Sequence, residues 1–243
     1  MLLAIDIGNS KIKGAVFKHN TILDHFVFDY TDWQKKIEKI FSRYPDLTHL
    51  MVASVGKLSK SDFLWLDKKV KISFVSSEMN FPFTNSYKTP HTLGIDRMVL
   101  ACGAVQQFPQ KNRLVIDAGT AITYDFIDEH DNYLGGAISP GIQLRYKSLN
   151  DHTAKLPLLN TPDEDFFIGQ TTSESIHSGV VNGVIHEIEG FIDRYRATYE
   201  NFIIILTGGD TVFLAKRLKS TIFANQNFLL ESLNDLYQFQ NND

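Results

Sequence analysis

The chain has 243 residues with a formal net charge of -4, and 43% of them are hydrophobic against 21% charged. This composition suits one large or two modest globular domains, and the negative charge without a basic stripe argues against a general nucleic-acid binder. A single cysteine, Cys102, excludes an intrachain disulfide and a thiolate metal cluster, and its apolar neighbours predict a core residue. Neither a leader nor a membrane-length apolar stretch is seen, so a reducing cytoplasm is the expected location.

Consecutive strands joined by short turns open each half of the sequence. In the first half they are followed by a predicted helix over 31–44, two buried strands over 50–55 and 71–75, and a helix over 94–108. The opening strands are predicted at 2–7, 12–17 and 22–28 in the first half, and at 114–116, 121–127 and 133–138 in the second.

The second half continues with a long predicted helix over 172–199, a buried strand over 202–206 and a helix that begins at Thr211. Strands followed by helices in both halves predict a duplicated α/β arrangement. We expect an N-terminal half over 1–110 and a C-terminal half over 111–243. Because no long flexible linker separates them, the halves are expected to share a cleft.

An Asp-x-Gly turn occurs at the end of a predicted strand in both halves. The first is Asp6-Ile7-Gly8-Asn9-Ser10, and the second is Asp117-Ala118-Gly119-Thr120. A carboxylate at a strand end could bind Mg²⁺ directly or through water, whereas an isolated Asp there is more simply a turn former. The repetition favours the metal and phosphate interpretation, which is the layout of a nucleotide phosphotransferase.

The residues after the first aspartate predict a phosphate-binding turn. Amide hydrogens at Asn9 and Ser10, with the ammonium group of Lys11 or Lys13, would hold the β- and γ-phosphates of a nucleotide. Alternating lysines on an exposed strand are the alternative interpretation. The sequence has no Gly-x-x-x-x-Gly-Lys-Ser/Thr motif, so the phosphates are not expected to bind at a Walker-type loop.

Gly94-Ile95-Asp96-Arg97 is a second candidate site, at the start of a predicted helix. A glycine at a helix N-terminus permits close approach of a substrate, and the helix dipole favours anions there. Asp96 is suited to accept a hydroxyl proton, and Arg97 to bind a carboxylate or phosphate. Asp96 could instead only complement the helix dipole.

Three further segments have both functional and structural explanations. Residues 135–141 are predicted to form a glycine-rich turn between strand and helix that admits a ligand, although tight packing between the elements explains the glycines equally well. Residues 207–210 are predicted to form a turn against which an adenosine could lie, and a plain strand-to-helix turn is the alternative interpretation. Capping alone accounts for residues 171–174 at the start of the long helix. Small residues at 175, 179 and 183 share one helix face, which suits tight packing within the protomer or self-association.

In this order, the motifs resemble those of the type III pantothenate kinases, members of the actin-like and sugar-kinase-like ATPase superfamily. The resemblance covers nearly the whole chain. It implies duplicated ribonuclease H-like, actin-like ATPase domains, with mixed sheets flanked by helices and an inter-domain cleft. The matching segments are 6–10, 94–97, 117–120, 135–141, 169–172 and 207–210.

The resemblance implies ATP-dependent phosphorylation of pantothenate at its primary hydroxyl, giving 4'-phosphopantothenate, the first step towards coenzyme A. Asp96 matches the family's general base. Residue reasoning alone leaves both Asp6 and Asp117 as candidate Mg²⁺ ligands, but the resemblance assigns Asp6 to the region of Mg²⁺-ATP and Asp117 to a monovalent cation, K⁺ or NH₄⁺. The remaining implied contacts are with ATP for Ile7, Gly8, Asn9, Ser10, Lys11, Ile12, Lys13 and Thr120, and with pantothenate for Tyr87, Gly94, Ile95, Asp96, Arg97 and Thr172.

Family members are generally homodimers with active sites near the interface, which favours self-association through the small-residue face. Two residues depart from the family pattern. Ser10 stands where threonine is common, a mild change that keeps the hydroxyl, and Ile95 stands where alanine is usual, which adds bulk inside the substrate motif and could reshape the pocket. A sugar-type kinase of the same superfamily is one alternative. A non-catalytic nucleotide-binding regulator is another, but Asp96 beside Arg97 argues against it because a pure switch needs no acceptor base.

Overall fold

A computed structural model of the protein describes residues 1–56 and 58–241. The chain forms two compact units, the first made of Met1–Gln110, Ile127–Gly135 and Asn227–Asp243, the second of Lys111–Phe126 and Gly136–Gln226. Within the described residues, no helix combines the length and apolar character needed to cross a membrane. The strands are β1 (Leu2–Ile7), β2 (Ile12–Lys18), β3 (Thr21–Phe28), β4 (His49–Ser54), β5 (Lys71–Phe74), β6 (Thr84–Asn85), β7 (Asn112–Ala118), β8 (Ala121–Ile127), β9 (Asn132–Pro140), β10 (Phe202–Thr207) and β11 (Phe223–Ala224). The α-helices are α1 (Trp33–Arg43), α2 (Ile95–Gln107), α3 (Ile142–Asp151), α4 (Thr172–His177), α5 (Gly183–Arg196), α6 (Thr211–Ala215) and α7 (Phe228–Asn241).

The first unit is built on a mixed sheet in the order β3-β2-β1-β4-β5. β1 pairs antiparallel with β2 and parallel with β4. Alternate residues of β1 point to opposite faces, so Leu2 and Ala4 pack in a core that includes residues of α2 and α7, while Leu3 and Ile5 pack in a core that includes α1. With both faces covered, the sheet holds the end of β1 and the start of α2 in fixed positions.

The other sheet has six strands in the order β11-β10-β7-β8-β9-β6, and its first five, read as β9-β8-β7-β10-β11, repeat the strand order of the first sheet. β10 pairs in parallel with both β7 and β11. One stripe of α4, α5 and the π-helical segment between them packs on the core through residues spaced four apart: Ile176, Val180, Val184, Ile188 and Ile192. The predicted duplicated α/β fold with mixed sheets flanked by helices is therefore confirmed. The domain boundary at residues 110 and 111, and the cleft, stay predictions.

The predicted strands and the first two helices lie within two residues of their observed bounds. The predicted helix over 172–199 is interrupted by a π-helical segment, Ser178–Asn182. Cys102 is a fully buried core residue, as predicted, and burial raises the pKa of its thiol far above the usual range. The C-terminal helix α7 was not predicted, although Leu230, Leu233 and Leu236 repeat at helical spacing on its buried side.

Candidate functional site

The first Asp-x-Gly segment forms a tight, exposed turn between β1 and β2. The Gly8 amide donates a hydrogen bond to the Lys11 carbonyl oxygen (3.1 Å), and the Tyr30 hydroxyl donates to the Gly8 carbonyl oxygen. The side chains of Asn9, Ser10 and Lys11 are exposed. The exposed groups of the turn are thus the Asn9 amide, the Ser10 hydroxyl and the Lys11 ammonium group. The hydrogen bond from Tyr30 fixes the main chain of the turn at Gly8.

Asp6 lies just before this turn and is only 7% exposed. It is the register partner of Lys13 on β2, and partners in an antiparallel pair share a face of the sheet. A carboxylate and an ammonium group therefore lie on the same face of the sheet, next to the turn. Ile7 and Ile12 are fully buried in the core, so their side chains fix the shape of the turn and do not reach its surface.

The Gly94–Arg97 segment carries a carboxylate at the beginning of α2. Gly94 is the N-cap residue, and the half-buried Asp96 accepts a hydrogen bond from the Arg97 amide at Oδ1 (2.8 Å). A side-chain carbon on Gly94 would collide with this Oδ1. A larger residue at position 94 would therefore displace the Asp96 carboxylate from this position.

Tyr87 and Arg97 come together in the first unit. Arg97 is 5% exposed, and the centre of its guanidinium group lies 5.8 Å from the centroid of the Tyr87 ring, within the range of a cation–π contact. The Tyr87 amide donates to Asn85 Oδ1 (3.0 Å), which fixes the chain beside the ring. The structure thus brings Tyr87 next to the Gly94–Arg97 segment, as a shared acceptor site requires.

Asp117 lies at the end of β7 in the second unit. The neighbouring Gly208 has a φ of +99°, a conformation that side chains disfavour, and a side-chain carbon there would collide with both Asp117 Oδ1 and the Ala118 carbonyl oxygen. Thr207 on β10 is the register partner of Asp117. It is 1% exposed, and its Oγ1 has no hydrogen-bond partner among the residues that the structure describes.

These groups fit a monovalent cation. The Asp117 carboxylate and the Ala118 carbonyl oxygen lie close together beside Gly208, and Thr207 is the neighbour of Asp117 on the adjacent parallel strand. Oxygens of these kinds are the ligands that replace the hydration shell of K⁺. Within residues 1–56 and 58–241, no three or more His, Cys, Asp or Glu side chains are grouped so that they could hold a metal ion.

The segment after Asp117 is also closely packed. The Gly119 amide donates to the Ala121 carbonyl oxygen (3.0 Å), and the Gly141 amide donates to the Thr120 carbonyl oxygen (3.0 Å). The Thr120 side chain is exposed. This second turn therefore presents a hydroxyl, as the first turn does at Ser10.

The prediction of a glycine-rich turn over 135–141 is wrong. Residues 135–140 belong to β9, and only Gly141 leaves the strand. A side-chain carbon on Gly136 would collide with the Tyr124 carbonyl oxygen of β8. Glycine is required there by close approach of the two strands, so packing explains Gly136.

Thr172 lines a cavity of about 1190 Å³ in the second unit, between α3 and α4. The predicted cap at the start of α4 is confirmed: Thr171 Oγ1 accepts from the Glu174 amide (3.2 Å), and Glu174 Oε2 accepts from the Gln170 amide (2.8 Å). Gly179 also lines the cavity, and no described heavy atom lies within 4 Å of where its side-chain carbon would be. Tight packing within the protomer therefore does not explain Gly179.

A polar network around Glu187 was not found from the sequence. Glu187 Oε1 accepts from Tyr124 (2.9 Å) and Ser139 (2.5 Å), and Oε2 accepts from Arg145 Nη2 (2.6 Å). Burial alone would raise the pKa of Glu187, but these hydrogen bonds outweigh burial and hold the pKa below its usual range. Arg145 also donates from Nε to the Pro140 carbonyl oxygen (2.8 Å) and lines the cavity with Thr172.

Comparison with known proteins gives a consistent picture. A family model described as type III pantothenate kinase matches residues 2–194. A Flavobacterium johnsoniae protein named type III pantothenate kinase is 59% identical over 240 residues, which cover 99% of this chain and 98% of that protein.

Solved structures share the fold at low sequence identity. A Campylobacter jejuni protein assigned to the Baf family of transcriptional activators is 23% identical, with a TM-score of 0.63 and coverage of 99% of this chain and 100% of that one. A glucokinase from an Antarctic psychrotroph is 12% identical, with a TM-score of 0.52 and coverage of 98% of each chain. At these identities the similarity concerns the fold alone.

Proposed function

The chain belongs to the type III pantothenate kinase family, enzymes that transfer a phosphoryl group from ATP to pantothenate in coenzyme A biosynthesis, and we propose that Asp96 is the general base of this transfer. Asp96 would accept the proton of the primary hydroxyl as the hydroxyl oxygen attacks the γ-phosphorus. The bond from that phosphorus to the β–γ bridging oxygen breaks, and ADP leaves.

The observation that supports this role is the position of the Asp96 carboxylate. Its Oδ1 is held by the Arg97 amide at 2.8 Å, over a glycine that leaves it room. Oδ2 remains for the acceptor hydroxyl. A base must lie within hydrogen-bond reach of the proton it removes, and a fixed carboxylate meets this condition at lower entropic cost than a mobile one.

We propose that pantothenate binds against Tyr87, Gly94, Ile95 and Arg97, with Thr172 as a further contact. Arg97 would bind the pantothenate carboxylate, since a guanidinium group forms strong charge-assisted hydrogen bonds with carboxylates. Its contact with the Tyr87 ring supports this role, because the ring restricts the orientation of the guanidinium group.

For ATP we propose the turn at 6–13 together with Thr120. The exposed amide, hydroxyl and ammonium groups of the turn would hold the phosphates, with Asp6 near the Mg²⁺ ion of Mg²⁺-ATP. Bound Mg²⁺ would neutralise charge on the transferring phosphoryl group. The buried position of Asp6 opposite Lys13 supports an outer-sphere role, through water.

Asp117 is proposed as the ligand of a monovalent cation, K⁺ or NH₄⁺, with the Thr207 hydroxyl as a second ligand. The Thr207 hydroxyl is buried and has no hydrogen-bond partner among the described residues. This supports a role as ligand, since buried polar groups in proteins normally have a hydrogen-bond partner or bind an ion. A bound cation would offset the crowded negative charge of the phosphates.

A homodimer in the cytoplasm completes the proposal. The open space around Gly179 supports contact with a second copy of the chain at the face formed by Ser175, Gly179 and Gly183. The free, buried thiol of Cys102 fits a reducing compartment.

The test is an assay that measures ADP release and identifies which acceptor is phosphorylated. Purified protein is given ATP and Mg²⁺ with pantothenate or with a panel of hexoses, in K⁺ or in Na⁺ buffer. We expect phosphopantothenate in K⁺ and much less in Na⁺. Equal rates in the two buffers would refute the cation proposal, and phosphorylation of hexoses but not of pantothenate would overturn the acceptor assignment.

A further inference from the structure

Tyr30 connects the core of the first unit to the turn that follows β1. It lies between β3 and α1, and its half-buried ring packs against the core cluster that includes residues of β1, β2 and α1. Its hydroxyl donates a hydrogen bond to the Gly8 carbonyl oxygen. Tyr30 therefore attaches an exposed turn to a closely packed part of the unit.

The Gly8 carbonyl oxygen is also approached by the chain that follows β4. A side-chain carbon on Gly56 would lie 2.6 Å from both the Gly8 carbonyl oxygen and the Tyr30 hydroxyl oxygen, and 3.0 Å from the Ile7 carbonyl oxygen. The neighbouring Val55 amide donates to the Ile7 carbonyl oxygen (3.1 Å). The Tyr30 hydroxyl and the chain at Gly56 thus leave the Gly8 carbonyl group little freedom to rotate.

The peptide group between Gly8 and Asn9 transmits this restraint to the surface. In a trans peptide group the carbonyl oxygen and the N–H point in opposite directions, and no cis peptide bond occurs among the described residues. Because the Gly8 oxygen points towards Tyr30, the main-chain N–H of Asn9 points away from it. Asn9 is exposed, and its main-chain N–H has no hydrogen-bond partner in residues 1–56 and 58–241.

We propose that Tyr30 is a positioning residue for ATP, because its bond to the Gly8 carbonyl oxygen directs the main-chain N–H of Asn9 at a phosphate oxygen. This inference rests on the proposed function of the turn at 6–13 as the phosphate site. The hydrogen bond from Tyr30 also polarises the peptide group, which makes its N–H a stronger donor. An amide that is oriented in advance binds an anionic oxygen without the cost of ordering the main chain.

The test compares ATP binding by the full-length wild type and Tyr30→Phe, which keeps the ring and removes the hydroxyl. Titration calorimetry with ATP and Mg²⁺, without an acceptor, gives the dissociation constant. We expect it to rise about fivefold to tenfold in Tyr30→Phe, as the loss of one hydrogen bond implies. Gly56→Ala should also raise it, since the added carbon displaces the Gly8 carbonyl oxygen. In steady-state kinetics the KM for ATP should rise while the KM for pantothenate stays unchanged.

Tyr44→Phe is the matched control. The Tyr44 ring packs against the same core cluster, and its hydroxyl donates to Asp24 Oδ2 (3.2 Å). Asp24 pairs with Val16, four residues beyond Ile12 on β2, which is about 13 Å along the strand from the turn. This variant loses a hydroxyl hydrogen bond from the same core, so its unfolding midpoint should fall as that of Tyr30→Phe does, but its ATP affinity should equal that of the wild type.

The outcomes separate this inference from the function on which it rests. Wild-type protein that binds ATP but leaves pantothenate unphosphorylated would contradict the proposed function alone, because the calorimetric comparison needs no acceptor. Equal ATP affinities of Tyr30→Phe and the wild type would overturn the role of Tyr30 alone. A loss of ATP affinity that is the same in Tyr30→Phe and Tyr44→Phe would also overturn it, since the effect would then follow from stability.

Discussion

Asp96 turns its carboxylate back over Gly94, so that a side-chain carbon at position 94 would collide with Asp96 Oδ1. The same oxygen accepts the Arg97 amide at 2.8 Å. Position 94 therefore controls where the proposed base lies, although residue 94 itself has no side chain to offer the reaction.

Gly94→Ala should lower kcat by on the order of tenfold to a hundredfold, because the added carbon displaces the Asp96 carboxylate from its productive position. The control is Gly190→Ala on α5, where no described heavy atom lies within 4 Å of the new carbon. That variant should keep wild-type kcat and gain about 0.5 to 1 kcal/mol of stability. Steady-state kinetics and thermal unfolding of the pair check this, and equal kcat values for both variants would contradict it.

Asp117→Asn should abolish the preference for K⁺ over Na⁺, because the carboxylate is the proposed charge that holds the ion. Thr207→Val replaces the hydroxyl by a methyl group. It should raise the K⁺ concentration for half-activation on the order of tenfold, because the loss of one ligand contact weakens ion binding by about that factor. Thr207→Ser should restore it. Stabilisation of the nucleotide-free protein by KCl gives a second readout, and Val and Ser variants with the same K⁺ response would rule out Thr207 as a ligand.

Glu187→Gln should destabilise the protein by about 1 to 3 kcal/mol at pH 7, since it leaves Arg145 without its charged partner. The folded-state pKa of Glu187 is depressed, so its contribution is present above its unfolded-state pKa and is lost as the pH falls through the folded-state pKa. The difference between variant and wild type should thus hold from pH 6 to 8 and shrink below about pH 4.3. Chemical denaturation at several pH values measures it.

The matched control for Glu187 is Asp193→Asn, whose partner Arg196 is on the same exposed helix surface. An exposed pair contributes about 1 kcal/mol or less. If the two variants lose equal stability, the Glu187 network is no stronger than a surface ion pair.

Gly179→Trp should shift the protein from dimer to monomer, because the side chain would fill a face that the protomer itself leaves open. Sedimentation equilibrium across a range of concentrations measures the change. Gly190→Trp, at an exposed position in the middle of α5, is the size-matched control. A wild-type protein that is monomeric at all concentrations would refute the proposed dimer.

Local signals in the sequence predicted much of the fold. The apolar run before Asp6 gave the position of β1, and Thr171 followed by Glu174 gave the start of α4, because strand burial and helix capping depend on adjacent residues. The repetition of Asp-x-Gly gave the duplication, which the equivalent strand orders of the two sheets confirm.

Contacts between distant segments could not be predicted in this way. Glu187 binds side chains from β8, β9 and α3, and no spacing in the sequence relates these positions. Gly136 was assigned to a turn because glycine often marks turns, but here it allows two strands to approach. The oxygen set at Asp117 depends on the register between β7 and β10, which only the folded sheet defines.

The most direct test of the central claim is the rate of phosphopantothenate formation by Asp96→Asn, measured with ATP, Mg²⁺ and K⁺. Asparagine keeps an oxygen that can accept the Arg97 amide, so the fold and ATP affinity should be retained. With the base removed, kcat should fall by about 10² to 10⁴. A variant that binds ATP normally and turns over pantothenate at the wild-type rate would contradict the assignment of Asp96 as the general base.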